Sequence, residues 1–195
     1  MGRGTNMWQQ ILLICIGALI SILITIINKF VDGWLNKRGE VIIYRKRVYQ
    51  QNSTNRTMEV YVHDNNETLL VVPLWIEIQN TKKTPVIIRD FSLELYKNGD
   101  KIKKMKQISH QKNSSLEPEI CYGDNGNYSF LIKPESIMRY NLLYSLKKND
   151  CETDFDEIKI VYYDSKNKKI TEKFQTMDSW NLKKYGIDDD WIKLN

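Results

Sequence analysis

The sequence predicts a mainly β protein in which one apolar helix near the N-terminus precedes an antiparallel β-sandwich. Two observations lead to this fold class. Residues 11–27 form an uncharged apolar run without proline, and from Val41 onward apolar and polar residues alternate in short segments separated by turn residues. The first pattern is typical of a membrane-spanning helix, and the second is typical of half-buried strands in a sandwich.

The apolar run reads ILLICIGALISILITII. As a helix it is about 25 Å long, close to the roughly 30 Å hydrocarbon core of a bilayer. A cleaved signal peptide would need a basic start and a small-x-small cleavage site, and the run has neither. A buried core helix would carry a polar stripe, whereas Ser21 and Thr25 are the only hydroxyl residues here. We therefore predict a transmembrane helix over residues 8–31.

The residues that flank the run predict where the membrane interfaces lie. Aromatic and basic side chains concentrate at such interfaces, and the expected interface residues are Trp8, Phe30, Trp34, Lys37 and Arg38. Lysine and arginine are more frequent after the run than before it, where Arg3 stands alone. Because such an excess favours the cytoplasmic side, the N-terminus is expected outside and the C-terminal domain in the cytoplasm. With the opposite orientation, Cys121 and Cys151 are able to form a disulfide.

The chain of 195 residues divides into five predicted parts. They are an N-terminal tail (1–7), the transmembrane helix (8–31), a basic juxtamembrane linker (32–40), the sandwich (41–175) and a C-terminal tail (176–195). The tail is expected to form a short helix from Asp178 or Ser179 to Tyr185, closed by Gly186. Its aromatic side chains are expected to pack on the sandwich, the alternative being contact with a partner: Trp180, Tyr185 and Trp191.

Several local signals set the strand boundaries. Residues 97–100 (KNGD) and 164–169 (DSKNKK) predict hairpin turns, and residues 110–127 predict a long loop. Pro73 within an apolar strand predicts an edge strand or a bulge. The inward parity changes between Ile88 and Phe91, which predicts a bulge or bend at residues 89–90. Trp75 has the opposite parity to Leu74, so we expect it to pack under the loop or the tail.

Residue types that carry catalysis or bind metals are sparse. The two histidines, His63 and His110, lack a Cys, His or carboxylate at ligand spacing, and the three cysteines form no C-x-x-C pair. No phosphate-binding glycine loop or G-x-S-x-G motif occurs. We therefore expect no enzyme activity, cofactor or metal. The net charge of +5 has much of its excess beside the predicted helix, so nucleic acid is not an expected partner.

Two further features allow a functional and a structural interpretation. A basic strand carries Lys101, Lys103, Lys104 and Lys106, which either form a patch for an anionic partner or protect a sheet edge from aggregation. We favour edge protection, because no aromatic residue is interleaved for base stacking. In the apolar run, Gly17, Ser21 and Thr25 recur at i, i+4 and i+8. Small residues at this spacing allow close helix pairing, so homo-oligomerisation through this face is a hypothesis.

The segments VPLWIEIQNTKKTPVIIRDFSLELYKNG, FLIKPESIMRYNLLYSL and EIKIVYYDSKNKKITEKF resemble small single-pass bacterial membrane proteins of unassigned function. The resemblance covers about residues 69–174 and implies an immunoglobulin-like sandwich held at the inner membrane. We expect a non-catalytic binding or adaptor module at the cytoplasmic face, with the bilayer and a protein as partners. Alternatives are a membrane effector whose helices self-associate, and an extracytoplasmic adhesion domain.

Overall fold

The computed structural model describes residues 7–49, 56–63, 66–108 and 128–194. Helix α1 spans Met7–Lys37, and the most apolar 18-residue stretch within it has a mean hydropathy of 2.8 and is not buried against the rest of the described chain. The 28 residues of Met7–Trp34 extend about 42 Å, so α1 is long and apolar enough to span a membrane. The helix continues through Gly33, and Arg38–Glu40 alone connect it to the first strand.

Among the described residues, every strand pair is antiparallel and the strands form two sheets. The strands of the first sheet are β1 (Val41–Arg47), β2 (Glu59–Val62), β3 (Thr68–Asn80), β6 (Lys106–Gln107), β8 (Ser136–Lys147) and β11 (Ile192–Lys193). Their order is β11-β1-β3-β8-β6, and β2 also pairs with β3. The strands of the second sheet are β4 (Val86–Lys97), β5 (Asp100–Lys104), β7 (Phe130–Ile132), β9 (Glu157–Tyr163) and β10 (Lys169–Thr176). Their order is β10-β9-β4-β5, and β7 also pairs with β4.

The two sheets enclose one hydrophobic core, as the alternating pattern predicts. Leu74 and Ile76 of β3 and Leu93 of β4 are fully buried and belong to the same core cluster. Contacts between the sheets include the Phe130 and Tyr140 rings, whose centroids are 4.2 Å apart. The predicted mainly β fold with a sandwich of antiparallel sheets is therefore confirmed.

Pro73 is the first point where the structure departs from expectation. It lies in β3, which has β8 on one side and both β1 and β2 on the other, so β3 is not an edge strand. The register with β8 runs through Pro73 without a shift, so there is no bulge either. On the other side, the pairing with β2 ends at Val71 and the pairing with β1 begins at Leu74. Pro73 is tolerated because no residue of β1 or β2 opposes it.

The predicted bulge at residues 89–90 is confirmed. The register of β4 with β9 shifts between Arg89 and Ser92, and Asp90 has a φ of 53°. This irregularity returns Phe91 to the core after Ile88, so both side chains are buried. Hairpin turns occur at both predicted positions, with Asn98 and Asn167 in left-handed conformations. The predicted loop at 110–127 lies outside the described residues.

The predicted tail helix is wrong, because the amide groups of this segment bond to the sandwich instead. The Met177 N–H donates to Asp156 O (2.9 Å) and the Tyr185 N–H to Met58 O (2.8 Å). The expected aromatic packing is confirmed for Trp180 and Tyr185, which are both buried. The Trp180 indole donates from Nε1 to Cys151 O at 3.1 Å. A local helix would forfeit these long-range contacts.

The register of β3 predicts unequal mutational costs for two neighbouring residues. Leu74→Ala removes a fully buried side chain and is expected to lower the free energy of unfolding by about 2–5 kcal/mol. Trp75→Ala is expected to cost less, because Trp75 is only half-buried. Urea unfolding of the full chain in detergent micelles, followed by far-UV circular dichroism, measures both.

The exposed Thr171 on β10 provides the control, since Thr171→Ala is expected to change stability by less than about 0.5 kcal/mol. A larger loss for Trp75→Ala than for Leu74→Ala would mean that the strand faces are reversed.

Candidate functional site

The predicted interface residues lie at both ends of α1. Trp8 is 76% exposed and Phe30 is 81% exposed. The Arg38 guanidinium carbon stands 3.5 Å from the Trp34 ring centroid, a cation–π contact one helical turn apart. Lys37 is the last residue of the helix. An indole with a cation above it suits the headgroup layer, where apolar and charged groups meet.

The predicted small-residue face is present on α1. The Ser21 hydroxyl donates to Gly17 O (2.9 Å), and the Thr25 hydroxyl donates to Ser21 O (2.8 Å). Both protons are therefore used within the helix, and only the hydroxyl oxygens remain as acceptors. A Cβ added at Gly17 meets nothing within 4 Å, so the face is open to a second helix. Pairing through this face stays a prediction that depends on close backbone packing.

The lysines of the predicted basic strand are largely paired within the chain. Three of them form ion pairs of 2.5 Å, and these are Lys101 with Glu94, Lys104 with Asp90 and Lys106 with Asp150. Lys103 forms no ion pair within the described ranges. Strands β5 and β6, which carry these lysines, each lie at an edge of their sheet, so the lysines stand where edge protection requires them. Their charges are mostly compensated by the chain's own carboxylates.

The outer face of the first sheet carries a groove of about 300 Å³, hereafter the tryptophan groove, lined by Trp75, Arg139, Tyr140, Asn141 and Trp191. The Trp75 and Trp191 rings stack with centroids 6.5 Å apart and an interplanar angle of 29°. Trp75 on β3 is the register partner of Asn141 on β8. The predicted packing of Trp75 under the tail is confirmed by this stack.

Arg139 supplies the positive charge of the tryptophan groove. Its Nε donates to Glu77 Oε2 at 2.5 Å, and its guanidinium carbon lies 5.9 Å from the Trp191 ring centroid. Hydrogen bonds from Gln79 and then from Arg139 lower the pKa of Glu77. The side chain of Arg139 is 72% exposed. Arg139 is therefore oriented by a buried carboxylate while most of its surface stays open to a partner.

The tail that supplies Trp191 is held by a buried ionic cluster. Asp188 Oδ2 accepts from Arg45 Nη1 at 3.0 Å, and Asp188 Oδ1 accepts from Arg47 Nη2 at 2.6 Å. The Arg47 backbone N–H also donates to Asp188 Oδ2, at 2.8 Å. Burial lowers the pKa of Arg45, and the charge of Asp188 opposes that effect. This cluster is three residues before Trp191 and fixes where the indole meets Trp75.

Groups that could support catalysis or bind a metal are dispersed in the described part of the chain. No three His, Cys, Asp or Glu side chains there are placed to hold a metal ion. Cys151 is buried, and burial raises the pKa of its thiol, which disfavours a nucleophilic thiolate. His63 lies beside the Tyr61 ring at the end of β2. His110 and Cys121 lie outside the described residues.

No protein-family model, curated protein or solved structure matches this chain.

The roles of Arg139 and Asn141 in the tryptophan groove were not predicted from the sequence. Their only local signal is parity, since they alternate with Met138, Tyr140 and Leu142 of the apolar face. The register adds the missing information, because Arg139 opposes Glu77 and Asn141 opposes Trp75.

If α1 pairs through its small face, Gly17→Ile is expected to abolish the dimer signal in a membrane two-hybrid assay, because the larger side chain separates the backbones. Leu19→Ile and Leu23→Ile lie on the opposite side of the helix and are the matched controls. An equal signal for all three variants would mean that α1 is a tether without a pairing face.

Proposed function

We propose that the protein is a membrane-anchored, non-catalytic binding module of the bacterial inner membrane. In this proposal α1 crosses the bilayer with its N-terminus outside, and the sandwich recognises a protein partner from the cytoplasmic side. The observation that carries the binding role is the tryptophan groove, where two stacked indoles and an exposed arginine share one open surface. Tryptophan and arginine are the residues most enriched where protein interfaces concentrate their binding energy.

The strand order supports an immunoglobulin-like sandwich. The order β1-β3-β8-β6 corresponds to strands A-B-E-D of that fold, and β10-β9-β4-β5 corresponds to G-F-C-C′. By analogy between folds, sandwiches of this kind are frames on which loops and sheet faces carry recognition. The sequence resemblance to single-pass bacterial proteins agrees with it.

The chemistry of the tryptophan groove defines the partner that it fits. The indole faces provide an apolar contact, and Asn141 offers an amide at the rim. Arg139 uses its Nε on Glu77, and its two Nη groups make no hydrogen bond within the described ranges. A polypeptide that places an apolar side chain on the indoles and a carboxylate near Arg139 satisfies both features.

Site-specific photo-crosslinking in cells tests the tryptophan groove. A photoreactive amino acid at Asn141 is expected to capture one discrete protein, and adding Arg139→Glu or Trp191→Ala is expected to reduce that product by about tenfold. The same amino acid at the exposed Thr171, on the other sheet, is the control. Capture at both positions, or capture that the two substitutions leave unchanged, would mean that the tryptophan groove is not the binding site.

The cytoplasmic orientation has its own test. Cys151 is a poor reporter because it is only 6% exposed, so it would remain unlabelled on either side of the membrane. Asp100 is exposed in the β4–β5 turn. Asp100→Cys is expected to react with a membrane-impermeant maleimide only after lysis, and the wild-type chain gives the background. Labelling in intact cells would support the extracytoplasmic alternative instead.

A further inference from the structure

The end of the sandwich that meets α1, hereafter the helix-proximal pole, is formed by three turns, at residues 81–85, 133–135 and 164–168. Glu40 follows α1, and its backbone N–H donates to Thr81 Oγ1 at 2.8 Å. The Asn80 amide donates to Thr84 O and to Lys133 O, both at 2.9 Å, and this joins the first two turns. Arg89 donates to Asn167 Oδ1, which brings in the third turn. One compact surface therefore surrounds the point where the helix leaves.

The charge of the helix-proximal pole is strongly positive. Its three turns contain two carboxylates, Glu135 and Asp164, and five lysines, which are Lys82, Lys83, Lys133, Lys166 and Lys168. Asp164 is occupied within its turn, where Oδ1 accepts the backbone N–H groups of Lys166 (2.9 Å) and Lys168 (2.8 Å). Four of the lysines are exposed and Lys82 is half-buried. Within the described ranges none of the five forms an ion pair, unlike most lysines of the basic strand.

Two apolar side chains stand beside these lysines. Ile87 is 55% exposed and Leu131 is 65% exposed. They are register partners in β4 and β7, so their side chains are neighbours on one face. Each is two residues from a turn of the pole, Ile87 from Pro85 and Leu131 from Lys133. Apolar side chains bordered by lysines match the boundary between headgroups and acyl chains.

The short connection to α1 sets the distance from the pole to the bilayer. Arg38–Glu40 reach at most about 10 Å when fully extended. The headgroup layer on each side of the hydrocarbon core is about 5–8 Å thick. With α1 inserted so that Trp34 and Arg38 lie at the interface, as predicted, the helix-proximal pole stands in or directly against the headgroup layer.

We propose that the helix-proximal pole binds the anionic phosphate headgroups of the leaflet that it faces. In this arrangement the five lysines contact the phosphates, and Ile87 and Leu131 enter the boundary with the acyl chains. Charge complementarity and the short tether both favour a lipid surface over a soluble partner. The inference rests on the part of the proposed function in which α1 is the anchor, and it is independent of the tryptophan groove and of the orientation.

Reconstitution of the full chain into vesicles tests the lipid site. An environment-sensitive fluorophore on Ser165→Cys reports on the third turn, because Ser165 is exposed there. In vesicles containing about 30% phosphatidylglycerol, quenching by the uncharged quencher acrylamide is expected to fall about threefold relative to pure phosphatidylcholine. About 0.5 M NaCl is expected to restore most of the quenching, because it screens the lysines.

Two matched lysine variants distinguish an effect of the pole lysines from an effect of the net charge of the protein. Replacing the five pole lysines with glutamine is expected to abolish the difference between the two lipid compositions. The control makes the same charge change at exposed lysines outside the pole, namely Lys148, Lys173, Lys183, Lys184 and Lys193, and is expected to retain the difference. Circular dichroism of each variant establishes that the strands persist.

Three outcomes would overturn the lipid site. Equal quenching in both lipid compositions would mean proximity without recognition of the anionic phosphates. Loss of the difference in both lysine variants would mean a response to net charge alone. Strong quenching in every vesicle, combined with crosslinking of Ser165 to a protein in cells, would assign the pole to a protein partner. None of these results alters the labelling of Asp100→Cys, so failure of the orientation and failure of the lipid site are distinguishable.

Discussion

The joint between the helix and the sandwich is the constraint on which the rest of the architecture depends. Gly39 has a φ of +95°, and a Cβ built on it would lie 2.6 Å from Thr81 O. Both facts require glycine, because a side chain would be strained and would collide with backbone. Glu40 and Thr81 then exchange backbone and side-chain hydrogen bonds. The end of α1 is thereby fixed to the β3–β4 turn rather than connected through a free linker.

This joint also sets the height of the tryptophan groove. Trp75 is five residues from Asn80, the last residue of β3 at the helix-proximal pole, which corresponds to about 17 Å along the strand. The groove opens on a sheet face, to the side of the strand axis. If α1 is the anchor and the groove binds a protein, as proposed, that partner would approach laterally, at a height that the juxtamembrane part of a second membrane protein can reach.

Local patterning was sufficient to predict the sandwich but not its long-range contacts. Alternation identified the buried faces of β3, β4, β8 and β9, and the parity change located the bulge at Asp90, because both signals are properties of neighbouring residues. The prediction of an edge strand or bulge at Pro73 was wrong because its tolerance depends on where β1 and β2 end. Those ends are set by chain segments that are distant from one another in sequence. The predicted tail helix was wrong for the same reason, since the Tyr185 N–H donates a hydrogen bond to Met58 O, which is distant in sequence.

The candidate site shows the same division between local and distant information. The packing of Trp75 under the tail followed from its parity, whereas Arg139 became visible only through its register with Glu77. Trp191 depends on Asp188, which bonds to arginines more than 140 positions earlier. A buried ion pair contributes little net stability, but leaving one partner alone is costly, so this cluster acts mainly to specify the position of the tail.

The distribution of lysine separates two roles that composition cannot distinguish. On β5 and β6, Lys101, Lys104 and Lys106 are matched by Glu94, Asp90 and Asp150, so these edges present little free charge. At the helix-proximal pole the lysines lack such partners within the described ranges, and in the proposed arrangement the joint at Gly39 would hold them against the bilayer. Lysine contacts at the pole would then restrict rotation of the sandwich about α1. Fixing that rotation would hold the tryptophan groove parallel to the membrane, which would raise the effective concentration of the groove toward the proposed partner in the same membrane.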